Sequence, residues 1–171
     1  MTVYPLFAEI IIDHPAPRVW AVLADYANDP RWRTGVVSMT VDPPGPVTPG
    51  AHTAEELRFA GSTWHNLGEV DAVTPGAQFT WHTTEGADAA GARTVTPRSP
   101  LSCLVRLDLS VTPHGVQRPF GRLLARMLQR NLDRDVLALR DLIENLTRSD
   151  SVPADVAERT ADRPRPARPR P

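Results

Sequence analysis

Lysine is absent from this sequence, and cysteine and long apolar runs are scarce. All 19 basic residues of the 171-residue chain are arginine, so no Gly-Lys-Ser/Thr loop can hold a nucleotide phosphate. The single cysteine, Cys103, cannot form an internal disulfide, and no Cys/His cluster has metal-ligand spacing. No 18-residue apolar run is present, so we expect no transmembrane helix and no stable membrane insertion. We expect neither a metal nor a cofactor.

Further absences narrow the class of protein. Neither a Gly-x-Ser-x-Gly nucleophile motif nor a Rossmann glycine fingerprint occurs. Residues 1–12 lack the basic start and apolar stretch of a secretory signal, so we expect a cytoplasmic location. The net charge is −1, and the six arginines and four acids of residues 148–171 leave about −3 on residues 1–147. A folded part without basic excess argues against nucleic-acid binding.

The clearest positive signal is a long amphipathic helix over residues 118–147. Its apolar residues recur in steps of three and four, as expected for one face of a helix of period 3.6: Phe120, Leu124, Leu128, Leu132, Val136, Leu139, Ile143 and Leu146. Such a helix is roughly 40 Å long and must bury this face against a sheet. Leu123, Met127 and Leu142 widen the face. Asn131 and Asp135 lie at its edge, where they either line a cavity or sit solvated at the rim of the core.

The segments before this helix read mostly as strands. A strand at residues 7–12 is followed by helices at 17–26 and 30–33, and the later strands span residues 36–41, 52–59, 63–73, 78–84, 92–97 and 102–112. Short hairpin connections force neighbouring strands to be antiparallel. The predicted fold is therefore α+β: a seven-stranded antiparallel sheet wrapped around a long C-terminal helix, with two short helices after the first strand.

Strand alternation places three polar residues on the inner face of this sheet: Glu55, Asn66 and Arg93. A buried carboxylate without a partner is costly. Three alternatives follow: Glu55 pairs with Arg93, Glu55 meets water in a cavity, or the predicted register is wrong by one residue. The same alternation puts His65 and His82 on the outer face.

Residues 148–171 have a different composition. They are rich in proline and arginine and nearly devoid of large apolar side chains, so we expect a disordered tail after a folded domain at residues 1–147. The last nine residues favour polyproline II.

Local patterns, taken in order, resemble the START-like (SRPBCC) superfamily, and within it the polyketide cyclase/dehydrase and lipid-transport branch. The stretches that carry the resemblance are residues 11–26, with Val19-Trp20 and Asp25-Tyr26, then Asp29-Pro30-Arg31-Trp32, and the hairpin over residues 69–81. The sequence departs from the family pattern at His14, where alanine is usual, and in the added tail. The exclusive use of arginine as basic residue, together with 18 prolines, indicates a GC-rich bacterial genome. The resemblance implies a helix-grip fold, similar to Bet v 1, with a deep apolar cavity between the sheet and the last helix.

The resemblance also implies a hydrophobic small-molecule ligand of the polyketide, lipid or isoprenoid type. We expect the wall of the cavity to comprise Trp32, Met39, Glu55, Leu57, Trp64, Asn66, Phe79, Trp81, Arg93, Leu107, Leu124, Met127 and Asn131. One alternative is a polyketide cyclase or aromatase acting on a poly-β-ketone, with Glu55 as base and Arg93 or Asn66 at an enolate oxygen. Another is a protein-interaction module. The residues leave these alternatives, and the oligomeric state, open.

Overall fold

The computed structural model describes residues 2–150. Most of the predicted tail, residues 151–171, lies outside the described residues, whereas residues 148–150 complete the last helix.

The order of elements follows the sequence pattern. The strands are β1 (Tyr4–Ile12), β2 (Val36–Asp42), β3 (His52–Phe59), β4 (Ser62–Thr74), β5 (Gln78–Glu85), β6 (Ala89–Ser99) and β7 (Ser102–Val111). The α-helices are α1 (Ala16–Leu23), α2 (Asp29–Trp32) and α3 (Gly121–Asp150). Two 3-10 turns, Tyr26–Asn28 and Gly115–Phe120, lead into α2 and α3.

The strands form one antiparallel sheet in the order β1-β7-β6-β5-β4-β3-β2. Each strand from β2 to β6 pairs with the next along the chain, and the last strand, β7, also pairs with β1. At the β3–β4 hairpin, Ala60 and Gly61 both have positive φ, which is the turn geometry that matches the twist of paired strands. The sheet curls around α3 and confirms the predicted helix-grip fold.

The long helix packs on one side of the sheet. α3 lies mainly against β1 and also contacts β7 and α2; it makes no contact of comparable extent with β3, β4 or β5. The main core on that side includes Ile12, Val105, Leu139 and Ile143, each at most 1% exposed. A second core cluster lies between the end of α1 and β4–β5, around Val70 and Phe79.

Several predicted boundaries were wrong. The helix begins at Gly121 rather than Arg118, after a 3-10 turn over Gly115–Phe120 that contains Pro119. Phe120, predicted in the buried face, is 63% exposed, and Leu123 is 57% exposed. The helix predicted over residues 17–26 stops at Leu23. The strand predicted over residues 92–97 spans Ala89–Ser99. Its first residues are small, so the sequence pattern did not show where the strand begins.

Candidate functional site

A cavity opens where the sheet and α3 fail to meet. It has a volume of about 140 Å³ and lies between β3–β5, the end of β7 and the first turns of α3. A smaller lobe of about 70 Å³ lies beside it, against α2 and the middle of α3. The two share several wall residues, Arg33, Leu57, Trp81 and Arg93 among them, and so are lobes of one space. One water molecule needs about 10–15 Å³ of such a cavity, so the larger lobe has room for a small organic molecule.

The structure brings most of the predicted wall residues to this space. The larger lobe is lined by Met39, Glu55, Leu57, Trp64, Asn66, Trp81, Arg93 and Leu124. The smaller lobe adds Trp32, Leu107 and Asn131. Phe79 and Met127 line neither lobe: Phe79 is 1% exposed within the second core cluster. The sequence did not decide whether Asp135 lines a cavity or lies at the rim of the core. In the structure it lies at the smaller lobe.

Arg93 is held by a buried ion pair. Its guanidinium donates from Nη1 and Nη2 to the two oxygens of Asp29, at 2.8 and 2.5 Å, and also to the Leu23 carbonyl at 3.2 Å. The rings of Tyr26, Trp32 and Phe79 surround it, with centroids 4.8–5.4 Å from Cζ. Asp29 is fully buried. The Arg93–Asp29 ion pair therefore holds the α1–α2 connection against the inner face of β6.

Glu55 does not pair with Arg93, so that alternative was wrong. Its Oε1 accepts from Arg33 Nη1 at 2.6 Å, and its Oε2 accepts from Asn66 Nδ2 at 2.9 Å. Arg33 also reaches Asp29 at 3.0 Å, which joins both ion pairs into one chain of charges. The predicted register is correct, because Glu55 lies opposite Asn66 and both face the cavity. Both carboxylate oxygens of Glu55 are thus engaged by the protein itself.

Asp29 and Arg33 were missed as site residues by sequence reasoning. They stand four residues apart at α2, and Arg33 is only partly buried, at 23% side-chain exposure. The i, i+4 spacing of opposite charges was a visible signal. What the sequence did not show is that this short helix lies over the cavity.

Two hydrogen-bond donors at the cavity have no partner among the described residues. The indole Nε1 of Trp32 is buried without an acceptor. The Tyr26 hydroxyl also makes no hydrogen bond among residues 2–150, and Tyr26 lines the larger lobe. Burial raises the pKa of Tyr26 to about 12, although Arg93 opposes the shift. The phenol therefore remains a donor at neutral pH.

The carboxyl group of Asp135 is buried at the smaller lobe. Its Oδ1 accepts a hydrogen bond from the Thr34 backbone N–H at 2.6 Å. Desolvation by burial raises the pKa of Asp135, and the hydrogen bond from Thr34 and the charge of Arg33 only partly offset it. Asp135 therefore holds the start of β2 against α3. Its ionised form lowers the stability of the fold, because the buried carboxylate is poorly solvated.

Two contacts shape the wall of the larger lobe. The indole of Trp81 lies over Gly91, its cross-strand neighbour, where an added Cβ would meet Trp81 Cζ2 at 2.8 Å. Asn66 Oδ1 accepts from the Ala87 backbone N–H at 3.0 Å and so ties the β5–β6 connection to β4. These contacts hold the aromatic and polar parts of the wall in place.

The histidines and the cysteine lie away from the cavity. His82 pairs with Asp71 at 2.7 Å, both partly exposed, and His65 is exposed. Cys103 is fully buried in the main core. Among residues 2–150, no group of three or more ligand-type side chains is arranged to hold a metal ion. Within the same residues, no helix combines the length and apolarity needed to cross a membrane.

Comparisons with known proteins agree with this architecture. The family model described as "Polyketide cyclase / dehydrase and lipid transport" matches residues 7–144. A START superfamily protein from Mycobacterium smegmatis is similar in structure, with 17% identity and a TM-score of 0.67, covering 83% of this chain and 98% of its own. The Zhui aromatase/cyclase from Streptomyces sp. R1128 has 13% identity and a TM-score of 0.70, covering 88% and 99%.

A third solved structure, TTHA0849 from Thermus thermophilus, has 17% identity and a TM-score of 0.71, covering 83% of this chain and 98% of that one. At these identities, structural likeness shows the fold alone. No curated protein matches the sequence.

Proposed function

We propose that this chain, which belongs to the polyketide cyclase/dehydrase and lipid transport family, binds an apolar, ring-containing small molecule that carries a carbonyl or other acceptor oxygen. The observation that carries the proposal is the composition of the cavity wall. Trp64, Trp81 and Leu57 supply apolar surface, whereas the Tyr26 hydroxyl supplies a donor that has no acceptor among residues 2–150. Ligand sites commonly combine an apolar wall with a few polar groups that fix orientation.

The charged groups favour binding over catalysis. Arg93 and Asp29 satisfy one another, and both oxygens of Glu55 are occupied by Arg33 and Asn66. A general base must reach the proton that it removes, and these two hydrogen bonds hold each oxygen of Glu55 against the cavity wall. The charge chain therefore serves to build a rigid polar floor beneath the ligand.

A matched pair of ligands tests this proposal. 2-Acetylnaphthalene and 2-isopropenylnaphthalene have nearly the same shape, but only the ketone presents an acceptor oxygen. We expect the ketone to bind about 5- to 150-fold more tightly, because an unmade hydrogen bond to a buried donor costs about 1–3 kcal/mol. Fluorescence or calorimetric titration measures both affinities. Equal affinities would remove the role of the Tyr26 donor, and no binding of either would remove the proposal.

Variants on α3 locate the site. Leu128 lines both lobes, whereas Leu137 on the same helix is 47% exposed. Leu128→Trp should fill the cavity and abolish binding, and Leu137→Trp should leave it unchanged. If both variants bind like the wild type, the ligand occupies another place. Native mass spectra before and after organic extraction would then show whether a natural ligand co-purifies.

A cyclase acting on a poly-β-ketone is the second candidate. The observation in its favour is that the Glu55 carboxylate and the Arg33 guanidinium share the wall of the larger lobe with the Tyr26 hydroxyl. For a cyclase, Glu55→Gln should abolish turnover of a poly-β-ketone substrate. For a binding protein it should change affinity only. Glu56→Gln, the next residue on the opposite face of β3, is the control.

A further inference from the structure

A cationic surface runs along the exposed side of the N-terminal half of α3 and the 3-10 turn before it. It consists of Arg118, Arg122, Arg126, Arg130 and Arg134, spaced four residues apart and all exposed. None of the five makes an ion pair among the described residues, in contrast to Arg33, Arg93, Arg106, Arg140 and Arg148. Residues 115–132 contain no acid. We call this set the arginine surface.

The arginine surface costs stability. Like charges four residues apart on a helix repel one another, by roughly 0.2–0.5 kcal/mol per pair in isolated helices. Arg122 also stands in the first turn of α3, which holds no acid, although the helix dipole favours negative charge there. Folding alone does not account for this arrangement, whereas an anionic partner would offset both costs.

Nearby acids form no ion pair with this surface among residues 2–150. Asp133, on the same helix, accepts from Gln129 at 2.8 Å. Asp88, on the β5–β6 connection, pairs with His114 at 2.6 Å, and Glu9 pairs with Arg106 at 2.9 Å. The protein as a whole has a net charge of −1, so the positive charge here is local.

Apolar side chains stand among these arginines. Leu123 is 57% exposed and shares a helix face with Arg126 and Arg130, which follow it by three and seven residues. Phe120 is 63% exposed. The neighbouring residue Leu124 lines the larger lobe of the cavity. Arginines with interspersed phenylalanine and leucine are typical of helices that lie in the interface of an anionic membrane.

We propose that the arginine surface, with Phe120 and Leu123, docks on an anionic lipid membrane. Charge complementarity selects the phospholipid headgroups, and the two exposed apolar side chains enter the boundary below them. Leu124 and Leu128, which line the cavity, lie on the other side of α3. The docking therefore stands on the surface itself and does not depend on the proposed function.

The test is flotation of the full-length protein with lipid vesicles. Vesicles of phosphatidylcholine alone are compared with vesicles that contain about one third phosphatidylglycerol. We expect binding to the anionic vesicles only, weakening steadily as salt is raised, since screening acts strongly on exposed charges. Binding to neither kind of vesicle overturns the proposal, and equal binding to both overturns its electrostatic basis.

Matched variants show which arginines are responsible for vesicle binding. Replacing Arg122, Arg126 and Arg130 by glutamine should weaken vesicle binding by about 100-fold, at about fivefold per arginine. The control triple replaces Arg31, Arg58 and Arg98, which are exposed on other elements, and changes the net charge equally. A full-length variant with glutamine at Arg163, Arg165, Arg168 and Arg170 tests the tail. An equal loss in the control triple, or a loss only in the tail variant, overturns the proposal.

Two further readouts separate docking from ligand binding. Phe120→Ser with Leu123→Ser should weaken vesicle binding at every salt concentration while leaving 2-acetylnaphthalene binding unchanged. Leu128→Trp should lose the ligand yet still float with anionic vesicles. If wild-type vesicle binding fails while ligand binding persists, the docking proposal falls alone. If acidic proteins bind the arginine surface and anionic vesicles do not, the partner is a protein and the membrane proposal is wrong.

Discussion

Asp29 is the residue on which the polar part of the site depends. It is fully buried and accepts from both Arg93 and Arg33, so that Asp29 and Glu55 together balance two guanidinium groups. Breaking a buried ion pair by removing one partner is costly, because the remaining charge stays in a poorly solvated place. The cavity wall therefore depends on a side chain that does not itself line the cavity.

The first prediction concerns this residue. Asp29→Asn should lower the free energy of unfolding by about 3–5 kcal/mol, since Arg93 is left buried without a counter-charge. Urea unfolding measures the change. Asp71→Asn is the control, because Asp71 pairs with His82 at a partly exposed position, and its loss should cost less than about 1 kcal/mol. Equal effects of the two substitutions would contradict this account of the buried charge chain.

The second prediction concerns Asp135, whose pKa is raised above the ordinary value of 3.8 by burial. A raised folded-state pKa gives stability that is fully present below 3.8 and is lost as the pH rises through the folded value. Asp135→Asn keeps an acceptor for the Thr34 N–H and removes this loss. The variant should therefore gain stability relative to the wild type as the pH rises from about 4.5 to about 7.5.

Parallel urea titrations of the two proteins measure that difference. Comparing them at each pH cancels the titration of all other groups. If the stability advantage of Asp135→Asn shrinks as the pH rises, the folded protein stabilises the ionised form of Asp135. Burial would then not be the dominant effect on its pKa.

At the scale of elements, α3 shows what a periodic sequence determines. The steps of three and four identified its core residues, and Leu139 and Ile143 are buried as predicted. The same periodicity placed Phe120 in the buried face, which was wrong. Periodicity defines a face, but it does not say whether a neighbour is present to cover it. The first turns of α3 are separated from β3–β5 by the cavity.

The third prediction compares two leucines of α3. Leu139 is fully buried, whereas Leu137 is 47% exposed. Leu139→Ala should lower the free energy of unfolding by about 2–5 kcal/mol, because it leaves a cavity in the main core. Leu137→Ala changes the same atoms and helix propensity but should cost less than about 1 kcal/mol. A small effect at Leu139 would show that the helix does not carry the core on the β1 side.

The site was predictable where it depends on alternation, and not where it depends on the packing of a short helix. Residues on the inner faces of β3, β4 and β6 follow from period two, which is why Glu55, Asn66 and Arg93 were found. Their partners were not, because Asp29 and Arg33 are brought over the sheet by a helix of four residues. Residues so close in sequence, and so far from Glu55 and Arg93, give no periodic signal of contact with them.

At the scale of the whole molecule, the curled sheet holds α3 on one side only. β1 and β7 pack against the helix, while β3–β5 remain separated from it by the cavity. Stability is therefore concentrated on the β1 side, and the open side is left for a ligand. The arginine surface lies on the side of α3 that faces away from the cavity, so that docking and ligand binding use different faces of one helix.

The fourth prediction follows from this division. A ligand that binds only the folded state stabilises it by mass action, by about 2.7 kcal/mol at 100 times its dissociation constant. 2-Acetylnaphthalene at that concentration should raise the free energy of unfolding of the wild type and of Leu137→Trp by this amount. Leu128→Trp should show no such rise, because its indole occupies the cavity, yet it should remain folded, since filling existing space removes no core contact. Ligand-induced stabilisation of Leu128→Trp would mean that the bound molecule lies outside the space between α3 and β3–β5.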